Sequence, residues 1–321
     1  MVHSRLKSKK SSLLDKPLTS GITKTIWTKV ETLVVTLVFI STLSFSYFFP
    51  ELDFRLSLLL TGLIFLGMPH GAMDVYILCQ LLKSKSRLLL GLVTYVGISL
   101  PILFLWPIYP TACFLFFLSY SLVHFADSDM QDRTSSVKLK AIEFMARLNL
   151  PFCLPYIFHR EQTLKLVQWI HPDVNLLAVD NIFLVLGTVS LSLVAVHTSL
   201  GFMRLAKNLK DADIAFIEPL VISVLFILIN PLYAFGIYFC FIHSVKHLVN
   251  VLLKIKINSP LTVLPYWLLP LAGLPILFFI FSKNQEVLQQ RVFQYIIIVL
   301  SSLALPHAFL VRYSKSRLMI N

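Results

Sequence analysis

Long apolar stretches separated by short polar segments make up most of the chain beyond residue 30. A helix needs about 20 mostly apolar residues to cross the hydrocarbon core of a bilayer. The pattern therefore predicts an all-α fold, a polytopic transmembrane helix bundle. We expect about ten spans, and at least eight, at residues 31–49, 56–82, 88–106, 111–125, 141–158, 176–205, 214–230, 232–253, 261–281 and 292–311.

Polar residues weaken the prediction at two places. Glu143, Arg147 and Asn149 interrupt the fifth stretch, which makes it the weakest of the ten. The turn at Asn230-Pro231 is tight, so the seventh and eighth stretches form either two spans or one broken helix.

The connecting segments carry an uneven distribution of positive charge. Every segment on one side contains Lys or Arg, as in KSKSR (83–87), RLAKNLKDAD (204–213) and RYSKSR (312–317). Such segments stay in the cytoplasm, so we expect both termini there. The predicted organisation is a basic cytoplasmic tail (1–30), a single transmembrane helical domain (31–312) and a short cytoplasmic tail (313–321). This organisation is typical of a multi-pass protein of the cell (inner) membrane.

Composition supports this class and excludes another. The chain is 57% hydrophobic and 14% charged, against about 25% charged residues in a soluble domain. Its formal net charge of +12 falls in short clusters between apolar stretches, without a basic face, so we expect no nucleic-acid partner. The cysteines are isolated in apolar stretches and are expected to be reduced.

Six of the nine histidines lie within predicted spans, where ionisable side chains are costly and usually mark a functional site. Those in the second, fourth, eighth and tenth stretches fall in the predicted cytoplasmic half of the bundle, so imidazoles from different spans can meet at one centre. These six are His70, His124, His197, His243, His247 and His307.

The pair in FIHSVKHL, His243 and His247, has the most specific spacing. An i, i+4 spacing places both side chains on one helix face, where two imidazoles can bind one metal ion. A lone buried histidine more often bonds a neighbouring helix, and we assign that role to His197. Both roles remain open for His307.

Two acidic residues accompany these histidines. Asp74 follows His70 by one turn, and Asp129 follows His124 near the membrane edge. A carboxylate commonly accepts the second N–H of a metal-bound histidine. Alternatively, Asp74 forms a hydrogen bond between helices and Asp129 belongs to a solvated helix end.

A site made only of imidazoles suits iron, copper or zinc. Four neutral imidazoles leave Fe(II) with open positions for dioxygen. The position in the membrane favours a hydrophobic substrate that arrives laterally from the bilayer.

Four motifs together resemble the Brp/Blh family of membrane β-carotene 15,15′-dioxygenases. Their order and wide spacing agree with that family over most of the chain beyond residue 60. Val75 and Ala126 depart from residues common in the family pattern, but neither replaces a proposed ligand. The motifs are GMPHGAMD (67–74), HFADSD (124–129), PLYAFGIYFCFIHSVKHL (231–248) and LPHAFLVRY (305–313).

The resemblance implies cleavage of the central double bond of β-carotene by O₂ at a non-haem Fe(II) ion, which gives two molecules of all-trans-retinal. The catalytic iron ligands implied by the motifs are His70, His124, His243 and His247. The resemblance implies that Asp74 and Asp129 orient ligands and that His307 is a nearby polar partner. A retinal-binding rhodopsin is a candidate acceptor of the product.

Other functions stay open. A transporter or proton pathway would also place histidines and acids in spans, although it usually shows inverted repeats or broken helices. A non-catalytic scaffold would bind a carotenoid without consuming it. A di-iron desaturase is disfavoured because its family has about eight histidines in several boxes, and a bis-histidine haem protein would be revealed by its absorbance.

Overall fold

The computed structural model describes residues 62–130, 137–176, 180–207, 214–248, 265–266 and 285–318, and every regular element in these ranges is helical. Two π-helical segments stand out: Leu63–Gly67 leads into the first α-helix, and Tyr238–Ser244 follows the ninth. A 3₁₀ turn at Ile214–Ile217 precedes the eighth. The α-helices are α1 (Met68–Leu81), α2 (Lys85–Leu105), α3 (Pro110–Asp129), α4 (Val137–Leu148), α5 (Leu150–Phe158), α6 (Arg160–Ile170), α7 (Asp180–Ala206), α8 (Glu218–Leu228), α9 (Pro231–Ile237) and α10 (Gln285–Leu318).

The all-helical prediction is confirmed for the described residues, and part of the span prediction with it. Among them, α2, α3, α7 and the Ile297–Ser314 part of α10 are long and apolar enough to cross a membrane. They coincide with the stretches predicted at 88–106, 111–125, 176–205 and 292–311. The total of about ten spans and the cytoplasmic location of both termini stay predictions. The tail 1–30, the stretch 31–49 and nearly all of 261–281 lie outside the described residues.

The stretch 141–158 is not the continuous helix that the apolar pattern predicts. It divides into α4 and α5 at Asn149, which has non-helical backbone angles. Pro151 has no N–H to donate to the carbonyl of Arg147, so the helical hydrogen bonding is interrupted at this point. The Asn149 amide instead donates to the Ser190 hydroxyl of α7 at 3.3 Å.

The turn at Asn230-Pro231 separates α8 from α9, and whether the two predicted stretches form two spans or one broken helix stays a prediction. The Asn230 side chain accepts a hydrogen bond from the Leu232 backbone N–H at 3.1 Å, as an N-cap residue does. Pro231 occupies the first turn of α9, where its missing N–H has no cost.

Helix α10, the last described element, packs back against the first α-helix. It also packs against α2, α3 and α6. Ser301 of α10 is fully buried, and its hydroxyl accepts a hydrogen bond from the Trp106 indole at 2.6 Å. The packing of α10 against α1 places the late PH motif beside the GMPHGAMD motif.

The outer faces of the long helices are apolar. In α2 only Ser99 and Ile102 are buried, whereas Leu89, Leu90 and Phe104 are each more than 60% exposed. Contiguous exposed apolar surface of this kind suits lipid and not water. The structure therefore describes a membrane protein whose polar groups face inward.

Candidate metal centre

Five histidines from four separate parts of the chain meet inside the bundle. They are all buried except His124, which is half-buried. We call this group the histidine cluster: His70 of α1, His124 of α3, His243 and His247 in the segment after α9, and His307 of α10.

Ring-to-ring distances show that the five imidazoles lie close together. The centroid of the His70 ring lies 4.2 Å from that of His247, 5.1 Å from that of His243 and 4.6 Å from that of His307. The His124 ring lies 5.3 Å from His243 and 4.9 Å from His307. One ligand nitrogen from each of His70, His124 and His307 lies within 4.8 Å of the other two.

The two π-helical segments pack against each other and bring His70 close to the HSVKH pair. Glycines permit this approach. A Cβ on Gly67 would lie 3.0 Å from the Phe239 ring, and one on Gly62 would lie 2.9 Å from the Phe241 ring. The wider turns of π-helical segments occur often at functional sites, and here one contains His243.

One buried carboxylate holds His307. The His307 Nδ1 lies 2.9 Å from both carboxylate oxygens of Asp74. The Tyr95 hydroxyl of α2 donates to Asp74 Oδ2 at 2.6 Å. An ionised carboxylate only accepts hydrogen bonds, so His307 Nδ1 is the donor in this contact, and a neutral ring with its proton at Nδ1 presents a lone pair at Nε2.

A second carboxylate holds His243 in the same way. The His243 Nδ1 lies 2.9 Å from Asp129 Oδ1, and the Tyr238 hydroxyl donates to Asp129 Oδ2 at 2.7 Å. Asp129 is 1% exposed, so it is an interior residue and not part of a solvated helix end. Its hydrogen bond leaves the His243 Nε2 lone pair directed into the cluster.

The nitrogen atoms of the cluster fit a metal ion. Within the described part of the chain, His243 Nε2 has no hydrogen-bond partner although it is buried. A buried polar atom without a partner costs about 1–3 kcal/mol, and a lone pair of this kind is satisfied by binding a cation. Imidazole groups held by carboxylates at the far nitrogen are the usual arrangement of metal-binding histidines. The all-nitrogen donor set suits iron, copper or zinc.

The structure brings the predicted site residues together, but some of their hydrogen-bond partners differ from those expected. The four histidines predicted as ligands lie together, as the shared depth of their spans required. Asp74 bonds His307 of α10, although its neighbour along α1 is His70. The sequence reasoning missed Tyr95, because no motif surrounds it. Tyr238 belongs to the YFCFIH motif, which could have indicated its role.

Comparison with known proteins agrees with the motifs. A family model described as beta-carotene 15,15'-dioxygenase matches residues 61–314, a range that contains all five residues of the histidine cluster. The chain belongs to this family. A beta-carotene 15,15'-dioxygenase from uncultured marine bacterium 66A03 is 27% identical over 264 residues, which cover 78% of this chain and 90% of that relative. No solved structure matches the chain. The resemblance to the Brp/Blh family is confirmed by these matches.

Proposed function

We propose that this member of the beta-carotene 15,15'-dioxygenase family cleaves the central double bond of β-carotene with O₂ and releases two molecules of all-trans-retinal. The observation that carries the proposal is the convergence of buried imidazoles, held by carboxylates, in a chain whose family match spans the whole site. Each product aldehyde receives one oxygen atom of O₂, so the reaction needs neither an external electron donor nor a proton.

The metal in this proposal is Fe(II). The donor set of neutral imidazoles fits it, and the ligands are His70, His124, His243 and His247. When bound, iron supplies the capacity to bind and activate dioxygen beside the polyene. The protein's task is to hold the imidazoles in fixed orientations and to keep water away from the substrate.

The carboxylates and tyrosines perform the first task. Asp129 receives hydrogen bonds from both His243 and Tyr238, which leaves the imidazole one ring orientation and one tautomer. The surrounding packing performs the second task. The Phe125 ring lies 4.6 Å from the His243 ring, and Phe239 stacks on His243 at 6.1 Å.

Aromatic rings also offer an apolar surface for a polyene next to the cluster. Phe235 stacks on Phe239 at 5.8 Å with an interplanar angle of 5°, and both rings are only half-buried. A carotenoid dissolved in the bilayer would reach this surface laterally. The enzyme is accordingly proposed to work in the cell membrane.

The proposal is tested by expressing the full chain in bacteria that accumulate β-carotene and by chromatography of the extracted pigments. We expect β-carotene to fall and all-trans-retinal to appear, and His247→Ala to abolish both changes. The matched control is His197→Ala, because His197 of α7 lies 3.9 Å from Glu143 and outside the histidine cluster.

Three outcomes would contradict parts of the proposal. Aldehydes of other lengths would refute the central bond as the cleavage site. Unchanged β-carotene with folded, iron-loaded protein would refute β-carotene as the substrate. Carotenoid that copurifies with the protein but is never consumed would favour a binding scaffold.

A further inference from the structure

His307 lies among the other imidazoles of the histidine cluster. Its Nε2 lies 2.9 Å from the Nε2 of His70, and its ring lies 4.9 Å from the His124 ring and 5.1 Å from the His247 ring. We infer that His307 is a fifth ligand of the metal, with Asp74 as its anchor. This inference rests on the proposed function, because it concerns the same metal centre.

The anchoring of His307 is at least as firm as that of His243. Both oxygens of Asp74 lie 2.9 Å from His307 Nδ1, and the Tyr95 hydroxyl donates to one of them, Oδ2. A histidine that only filled space beside the metal site would not require a carboxylate and a tyrosine to orient it. The carboxylate instead defines the tautomer in which Nε2 has a lone pair, and that lone pair points into the cluster.

The distance between the two Nε2 atoms also indicates a shared ion. Two imidazole nitrogens that bind one ion at about 2.1 Å are about 3.0 Å apart when the bonds form a right angle, and about 3.4 Å apart at a tetrahedral angle. The observed separation between His70 and His307 is 2.9 Å. This separation agrees with two nitrogens that would bind one ion at about a right angle.

A hydrogen bond between the same two atoms is the competing interpretation. In that case His70 Nε2 donates to His307 Nε2, and His70 binds the metal through Nδ1, which is buried without another partner among the described residues. His307 then positions His70 without touching the metal. The two interpretations differ in the number of nitrogen atoms that bind the metal, which can be measured without any carotenoid.

Cobalt(II) provides that measurement. The full chain, purified in detergent and freed of metal, is titrated with Co(II) under anaerobic conditions while its visible absorption is recorded. Co(II) absorbs more strongly in the visible range as its coordination number falls, so loss of one ligand is visible directly. The variants compared are His307→Ala, the matched control His197→Ala, and wild type.

A fifth ligand predicts three results for His307→Ala. Its affinity for Co(II) falls by at least about 100-fold, the upper end of what loss of a group that only supports a ligand costs. Its visible bands at saturation shift, because a water oxygen or an empty position replaces an imidazole nitrogen. Added imidazole, which can fill the space left by the side chain, restores the wild-type spectrum. His197→Ala is expected to retain the wild-type affinity and spectrum.

Bands of unchanged position and intensity in saturated His307→Ala would overturn the inference and leave His307 as a residue that positions His70. If the alanine variant does not fold, His307→Asn replaces it, because its amide can still donate to Asp74, and the same spectral change is expected. Iron-loaded wild type that leaves β-carotene intact would overturn the proposed function alone. Failure of the inference and failure of the function are therefore distinguishable.

Discussion

The histidine cluster can be compared with a second group of buried polar side chains. Arg147 of α4 contacts Glu143 at 2.9 Å and Glu218 of α8 at 3.1 Å. Lys246 also binds Glu218, and His197 of α7 lies 3.9 Å from Glu143. We call these five residues the ion-pair cluster.

The two clusters differ in where their partners come from. In the ion-pair cluster, two carboxylates face two cations, so the charges balance within the protein. In the histidine cluster, nitrogen atoms face one another and the carboxylates bind only from outside, at Nδ1. The charges of the first group balance without a ligand, although Arg147 Nη1 has no hydrogen-bond partner there among the residues that the structure describes. We propose that the second group is completed by a metal ion. Buried polar groups in a membrane protein therefore indicate a site when their atoms face each other without internal compensation.

The largest effect is expected in the ion-pair cluster, on stability. Arg147→Leu would leave two half-buried carboxylates, Glu143 and Glu218, with Lys246 as the remaining strong cation. Removing one partner of a buried ion pair costs about 3–5 kcal/mol of unfolding free energy. Denaturant titration of the detergent-solubilised protein measures this loss.

A matched control for this variant is Arg160→Leu. Arg160 also pairs with an aspartate, Asp180, at 2.9 Å, but its side chain is 48% exposed, so little change is expected. Folded Arg147→Leu should still bind as much iron as wild type. If it unfolds like wild type and yet loses the metal, the ion-pair cluster is part of the metal centre and the comparison fails.

An intermediate effect is expected for the two carboxylates of the histidine cluster. Asp129→Asn and Asp74→Asn preserve shape but remove the charge that favours a proton on Nδ1. We expect each to weaken Fe(II) binding by about 10–100-fold, or about 1.4–2.8 kcal/mol. Dissociation constants measured by competition with a coloured chelator test this.

Glu143→Gln serves as the control, because it removes a half-buried carboxylate from the ion-pair cluster and should leave iron affinity unchanged. Wild-type affinity in Asp129→Asn would show that the carboxylate does not support a ligand. If Asp74→Asn keeps the wild-type iron affinity while Asp129→Asn loses it, His307 is not a ligand and His243 remains one.

The helical class and the set of histidines could be predicted from the sequence because both depend on local patterns. Apolar length defines α2, α3 and α7, and an i, i+4 spacing places His243 and His247 together. The division of 141–158 at Asn149 was also present in the sequence, since Pro151 interrupts helical hydrogen bonding, but hydropathy alone does not detect it.

The partner of Asp74 could not be predicted in this way. Asp74 and His307 are 233 residues apart, and their contact depends on how α10 packs against α1. Spacing along α1 indicated His70, which is the nearer residue in sequence. Tyr95 reaches Asp74 for the same reason, and nothing in its local sequence distinguishes it from other tyrosines in apolar helices. The hydrogen-bond partner of a buried side chain is decided by how the helices pack and not by the local sequence.

The smallest effect is expected for the tyrosines, and it distinguishes the two carboxylates from each other. In the described part of the chain, each oxygen of Asp129 has its own donor, His243 for Oδ1 and Tyr238 for Oδ2. Both oxygens of Asp74 instead lie within 2.9 Å of His307, so Oδ2 retains a donor when Tyr95 is removed. Tyr238→Phe should therefore weaken Fe(II) binding more than Tyr95→Phe does.

Both tyrosine variants should lose less than about 10-fold in iron affinity, because each acts through a carboxylate and not on a ligand directly. The same chelator competition measures the two dissociation constants side by side, and Tyr120→Phe serves as a control because its hydroxyl bonds the Ser301 carbonyl outside the cluster. Equal losses in Tyr95→Phe and Tyr238→Phe would mean that the two carboxylates are held equivalently. A larger loss in Tyr95→Phe would mean that Asp74 depends on α2 for its position more than on its contact with His307.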